Sequence, residues 1–157
     1  MTHTKLASKS ATSPIVFQFL TEVGIIAQLS NTALERILPK KLSVAGFGML
    51  NRFILVKPDG DSPANMAQAF QVTRGAITNT ISRLEEQGFV TILPDPKDGR
   101  AKIVCITEAG RQCHANCLKA LRPFIAEVGR DIGIDALAQC LPTLASVRLW
   151  MDRDREN

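Results

Sequence analysis

Val72-Thr73-Arg74-Gly75-Ala76-Ile77-Thr78-Asn79-Thr80-Ile81-Ser82-Arg83-Leu84-Glu85-Glu86-Gln87-Gly88 is the stretch on which the fold turns. Thr73 offers a hydroxyl where the first N–H groups of a helix need an acceptor, so it reads as an N-cap. Ile77, Ile81 and Leu84 are spaced by four and three residues, which stacks them on one helix face. Arg74, Gly75, Thr78, Asn79, Ser82 and Arg83 occupy the opposite face. Gly88 stands just past the end, where a left-handed residue would close the helix. Phe89 to Leu93 then reads as a short apolar strand. A turn-rich tip follows, Pro94-Asp95-Pro96-Lys97-Asp98-Gly99-Arg100. A second strand returns over Lys102 to Ile106, with Val104 and Ile106 alternating onto one face.

Upstream, Ser62-Pro63 is a helix start, with serine as cap and proline at the first helical position. It predicts a short helix from Ala64 to Phe70 with Met66, Ala67 and Phe70 inward. Gln71-Val72 is the turn into the capped helix. Helix, turn, helix and then a hairpin with a charged tip is the order of a winged helix-turn-helix, mainly α with a small β-hairpin wing (α+β). Ser43 caps an earlier helix, Val44 to Val56, with Phe47, Leu50, Phe53 and Ile54 inward. Lys57-Pro58-Asp59-Gly60-Asp61 is a turn cluster that ends it.

The flanks are long amphipathic helices. Ser13-Pro14 opens the first, which runs to about Pro39, with Ile15, Phe19, Val23, Ile26, Leu29, Ala33 and Ile37 at steps of three and four. Thr107-Glu108-Ala109-Gly110 opens another that reaches about Arg130, bent or interrupted at Pro123. Gly133 separates it from a last helix, Asp135 to Met151, in which Pro142 predicts a kink. Met1 to Ala11, with His3 in it, reads as a disordered tail, and Arg153 to Asn157 should fray.

The chain has 157 residues, 45% of them apolar, enough for one domain with helical extensions. Net charge is +4, unevenly spread: +3 over residues 1–70, +1 over 71–104 and zero over 105–157. Any phosphate binding therefore depends on a few placed cations and backbone N–H groups rather than on a basic block. The polar N-terminus has no secretory h-region, and no apolar run approaches the ~18 residues of a membrane span, so a cytoplasmic protein without a membrane partner is expected. Cys105, Cys113, Cys117 and Cys140 all lie in the C-terminal third and should be thiols. Cys113 and Cys117 share a helix face, but His114 points about 100° away from Cys113 around the helix, which spoils a zinc cluster. No metal or cofactor is expected. Without a nucleophile elbow, a phosphate-binding Gly-rich loop or paired metal ligands, an enzyme is not expected either.

This pattern resembles the MarR family of bacterial transcription regulators, over about residues 15 to 151. The residues that carry the resemblance are Met66-Ala67 and Phe70, Thr73-Arg74, Arg83-Leu84-Glu85 with Gly88-Phe89-Val90, Asp98-Gly99-Arg100, and Val104 with Ile106-Thr107-Glu108-Ala109-Gly110. The chain departs from the pattern at Gln71, where the turn usually has glycine, and at Thr80, a usually apolar position whose methyl can pack. The resemblance implies a homodimer whose N- and C-terminal helices form the interface. Two reading heads would then face a pseudo-palindromic operator on double-stranded DNA. It also implies room for a small-molecule effector between dimer region and head. The expected organisation is a tail (1–13), an N-terminal dimerisation helix (14–40), the winged helix-turn-helix DNA-binding domain (41–106) and C-terminal dimerisation helices (107–157). Independently, the broad apolar faces of the long helices suit an isologous interface, with Trp150 as an anchor.

A helix fits the major groove and its N-terminal side chains reach base edges. Arg74 can pair with guanine or hold a phosphate, and Asn79 can pair with adenine. Thr78 can meet a thymine methyl or a phosphate oxygen, and Gly75 leaves room for close approach. Thr73 and Arg83 flank this set. On the wing, Arg100 is the candidate for the minor groove, while Lys97 and Lys102 would contact phosphates. Asp98 would orient Arg100 or another arginine, or cap the turn. The expected function is sequence-specific duplex binding that represses transcription in response to a small molecule. Two alternatives stand beside it: a winged helix kept for protein contact without DNA binding, and a thiol-based redox regulator, although the N-terminal cysteine usual in redox-sensing relatives is missing.

Overall fold

Four hydroxyl caps set the helix starts. Ser43, Ser62, Thr73 and Thr107 each accept the backbone N–H three residues on, at 3.0 to 3.2 Å, from Gly46, Asn65, Ala76 and Gly110. The computed structural model describes residues 14–153. Its elements are α1 (Pro14–Ile37), α2 (Val44–Leu55), α3 (Pro63–Phe70), α4 (Arg74–Glu86), β1 (Val90–Pro94), β2 (Lys102–Ile106), α5 (Glu108–Ile132) and α6 (Ile134–Arg153). The Ser13 cap, the tail of residues 1–13 with His3, and residues 154–157 lie outside the described residues; Arg153, expected to fray, is instead the last residue of α6.

The chain divides into two units, Met1–Arg36 and Ile37–Asn157. In the first, α1 buries none of its residues. In the second, the core lies between α2, α3, α4, the hairpin and the first half of α5. Its buried side chains include Met49, Leu50 and Phe53 of α2, Met66 of α3, the Ile77-Ile81-Leu84 stripe of α4, Val90 and Val104 of the strands, and Cys117 and Leu121 of α5. The expected stripes of α3 and α4 are in place, though Phe70 is half-buried. In α2 the inward set differs. Gly46 and Met49 are buried while Phe47 and Ile54 are half-buried. Gly46 permits this, since a Cβ there would lie 3.1 Å from Leu42 and 3.3 Å from Leu84.

Helices α3 and α4 end in the same way. Val72 N–H donates to Ala67 C=O at 3.1 Å and Gln71 N–H to Gln68 C=O at 3.2 Å; Phe89 N–H donates to Leu84 C=O and Gly88 N–H to Glu85 C=O, at 2.9 and 2.8 Å. Both are left-handed helix closures. Gly88 has φ +72°, and Gln71, a non-glycine residue, has φ +59°. Using Phe89 in this closure delays the strand, so β1 begins at Val90 rather than Phe89. The Phe89 carbonyl then accepts Thr107 N–H at 3.0 Å.

β1 and β2 pair antiparallel, Val90 opposite Ile106 and Ile92 opposite Val104. Asp61 adds a bridge on the other side of β2, with reciprocal N–H···O bonds to Val104 at 3.0 and 2.9 Å. The turn cluster after α2 therefore supports the hairpin as a third edge. Gly110 allows α5 to start against it, because a Cβ at that position would run into the Phe89 carbonyl. α5 is not interrupted at Pro123, and α6 continues through Pro142. No helix among the described residues is long and apolar enough to cross a membrane.

Candidate nucleic-acid interface

Helix α4 is held by one side and open on the other. Ile77, Ile81 and Leu84 are at most 3% exposed, whereas Thr73, Arg74, Gly75, Thr78, Asn79 and Arg83 all face solvent. The hydroxyls on this helix are mostly committed. Thr73 Oγ1 accepts Ala76 N–H, Thr78 Oγ1 donates to Arg74 C=O at 2.9 Å, and Thr80 Oγ1 donates to Ala76 C=O at 3.0 Å. The Arg74 guanidinium and the Asn79 amide make no hydrogen bond to another described residue. Gly75 has open space around it. A Cβ there would find nothing nearer than Thr73 Oγ1 at 3.9 Å. No packing contact therefore requires glycine at this position, although glycine weakens a helix by up to about 1 kcal/mol relative to alanine.

The wing tip is built by its own aspartates. Asp98 Oδ1 accepts Arg100 N–H at 3.0 Å, and Asp95 Oδ1 accepts Lys97 N–H at 2.8 Å. Of the roles open to Asp98, the one seen is capping the turn, with Ala101 N–H donating to the Asp98 carbonyl at 2.9 Å. Lys97, Arg100 and Lys102 are exposed. A cleft of about 400 Å³ lies between the last turns of α4 and the wing, lined by Glu85, Ile92, Leu93, Pro94, Gly99, Arg100, Ala101 and Lys102. The wing cations are thus set beside the C-terminal end of the helix whose N-terminal end carries Arg74.

Two supports of this site escape a reading of the sequence. Asp61, 3% exposed, accepts both Arg52 Nε and Nη2 at 2.9 and 2.7 Å on one oxygen, and Ser62 N–H on the other. The pair joins α2 to the edge of the wing. His114, 5% exposed on α5, stacks on Phe47 of α2 at 5.6 Å, with its Nε2 3.0 Å from Asn51 Oδ1. Burial pushes its pKa below the usual histidine value. One helical turn on, burial and the neighbouring Cys113 push the Cys117 thiol up to about 11, and burial raises Cys113 as well. Burial thus favours the thiol at both positions over the thiolate, the form that reacts with oxidants. No group of three or more metal-ligating side chains is gathered among the described residues.

A helix-turn-helix followed by a two-stranded wing, with an uncovered cationic and amide face on the second helix, defines a winged-helix protein. The sequence profile of the MarR family matches residues 52–101, the segment that contains α3, α4, β1 and the wing tip but stops short of β2. The transcriptional regulator BldR of Sulfolobus solfataricus is similar in structure, with a TM-score of 0.70 at 28% identity over 83% of this chain and 94% of its own. A mutant MarR of E. coli complexed with operator DNA superposes with a TM-score of 0.65 at 23% identity, over 83% and 96% of the two chains. In sequence, the transcriptional activatory protein BadR of Rhodopseudomonas palustris is 29% identical over 90 residues. That match takes in 57% of this chain and about half the length, 51%, of BadR. Over residues 52–101 the chain thus resembles the MarR family of transcriptional regulators.

Proposed function

We propose that the chain acts as a homodimeric repressor on a pseudo-palindromic operator, with α4 in the major groove and the wing tip at the adjacent minor groove. The observation that carries this reading is the two-sidedness of α4. Its inner stripe is fixed in the core, while Arg74, Gly75, Thr78, Asn79 and Arg83 stand clear of the protein. Arg100 at the tip of a stiffened hairpin supplies a cation at the position where a narrow groove concentrates negative potential. Lys97 and Lys102 add phosphate contacts, and Thr73 flanks the reading face.

Selection of bound duplexes from a genomic library by the purified protein tests this directly. A regulator enriches a two-fold related site, and its affinity falls with salt at about 0.9 log units per neutralised phosphate for each log of salt. An interaction module without DNA binding would enrich nothing. On the selected site, Arg100→Ala should cost about 1–3 kcal/mol of binding, the range of one specific contact. Lys57→Ala, a cation in the turn after α2, should cost far less; equal losses in a gel shift at fixed salt would remove any special role for the wing. A site overlapping a promoter supports repression. BadR's description as an activator makes a site upstream of the promoter the contrary outcome.

A small-molecule effector has a place to act. A groove of about 490 Å³ runs between Pro39-Lys40-Lys41-Leu42, Phe89 and the start of α5, where Ala109, Gln112, Cys113 and Asn116 line it. Its walls are mostly apolar. Phe89 directly follows the closure of α4, so an occupant there would press on the end of the reading helix. At Cys113 and Cys117 the thiol-based alternative is disfavoured by burial, which raises both thiols.

A further inference from the structure

We propose that Thr78 is a thymine reader, meeting the C5 methyl group of a thymine in the major groove with its own Cγ2 methyl. The inference rests on the duplex-binding function proposed above. From residue type alone, a threonine on the outer face of a reading helix has two uses: donating to a phosphate oxygen, or packing against a thymine methyl.

The structure separates these two uses. A phosphate oxygen only accepts, so a phosphate contact needs the single hydroxyl proton of threonine. That proton already goes to the carbonyl of Arg74, at 2.9 Å. Drawing Oγ1 back against the backbone leaves Cγ2 about 120° away around the Cα–Cβ bond, on a residue that is exposed. Thr80 makes the same kind of bond, to Ala76 C=O, but is half-buried beside the core stripe. Ser82 is exposed and has no methyl. Among the hydroxyl residues of α4, Thr78 is thus the one that offers an apolar group outward, on the same face as Arg74 and Asn79. Those two have polar groups to spend on base edges and no methyl to offer.

The test uses the duplex selected by the wild-type protein. Each thymine is replaced in turn by deoxyuridine, which removes the methyl and keeps the base pair. Binding is measured for the wild type, Thr78→Ser and Thr78→Val. The expected result is one thymine in each half-site whose replacement weakens wild-type binding about fourfold, the ratio for one buried methyl-sized group. Thr78→Ser, which keeps the hydroxyl and loses the methyl, should be indifferent to that replacement. Thr78→Val, which keeps a methyl and loses the hydroxyl, should still feel it. The proposal is overturned if every deoxyuridine effect is the same in wild type and Thr78→Ser. It is also overturned if Thr78→Val loses binding on all duplexes while Thr78→Ser does not, since that marks a hydroxyl contact to phosphate. If no duplex is selected at all, duplex binding itself fails and this inference falls with it. Thermal unfolding of each variant confirms that an exposed substitution has left the fold intact.

Discussion

Gly75 illustrates how a single residue can be placed against its own helix. It sits in the first turn of α4, yet nothing among the described residues lies close enough to forbid a methyl group there. Gly110 is the opposite case, since a Cβ would run into the Phe89 carbonyl and α5 could not start where it does. The absence of any internal reason for glycine at position 75 points outward, to a surface that must come close. Gly75→Ala should therefore raise stability by up to about 1 kcal/mol while weakening binding to the selected duplex several-fold. Chemical denaturation and a gel shift on the same protein read the two effects, and tighter binding by the variant would sink the idea. Gln71 shows that a pattern can be kept without its usual residue. It takes the left-handed conformation that Gly88 takes at the next closure, at a cost of roughly 1–2 kcal/mol for a residue with a side chain. Its amide recovers part of that by donating to Asp152 Oδ1 at 3.0 Å.

At the scale of elements, the wing depends on α2 through Arg52 and Asp61. Removing one partner of a buried ion pair leaves the other charge unpaired, so Arg52→Ala should destabilise the protein by about 3–5 kcal/mol. Urea denaturation measures this, and a loss under 1 kcal/mol would show the pair to be dispensable. The junction of α5 with α2 has a different sensitivity, set by His114. Burial lowers its folded pKa below the ordinary histidine value of 6.5, so the unfolded chain takes up the proton first. Its contribution is complete above about pH 6.5, declines as pH falls below that value and is exhausted below the folded pKa. Wild type should lose stability between pH 7 and pH 5 with a steeper slope than His114→Gln, and parallel slopes in thermal melts would remove the residue from the account. These two junctions also mark where the sequence stops being legible. The α4 stripe, the caps at Ser43, Ser62 and Thr73 and the hairpin are read correctly because their signals are local: a period, a cap three residues from its donor, a turn. Asn51 and His114 are 63 residues apart, and Asp61 meets Val104 across the whole helix-turn-helix. No period connects such pairs, and the turn cluster at Lys57–Asp61 hides a third edge of the wing behind ordinary loop composition. On the site itself, the residue types and their outward face could be read in advance. The commitment of the Thr78 proton could not, because it depends on a rotamer.

At the scale of the whole molecule, the unsatisfied quantity is apolar surface. α1 and α6 bury none of their residues. Ile15 and Phe17 on α1 are 71% and 70% exposed, and Ile134 and Trp150 on α6 are 74% and 61% exposed. Phe124, Ile125 and Val128 of α5 form an open apolar groove with Ile134, Leu137 and Leu141 of α6. Large contiguous apolar patches are rare on monomers, and a second copy with the same faces would cover them by symmetry. The chain should therefore run at twice its 17.1 kDa mass in sedimentation at micromolar concentration. Charging the groove with Leu141→Glu should shift it to monomer. Linked recognition then makes a further demand. A dimer binds two half-sites with one loss of translational freedom, so the monomeric variant should lose far more operator affinity than any single base contact supplies. It should keep the native wing and α4, because their core contains no residue of α6. Two half-sites separated by one helical turn, about 34–36 Å, should protect together in footprinting with wild type and fail together with Leu141→Glu. A monomeric wild type, or a variant that dissociates and still binds as tightly, would leave the long helices without the role assigned to them.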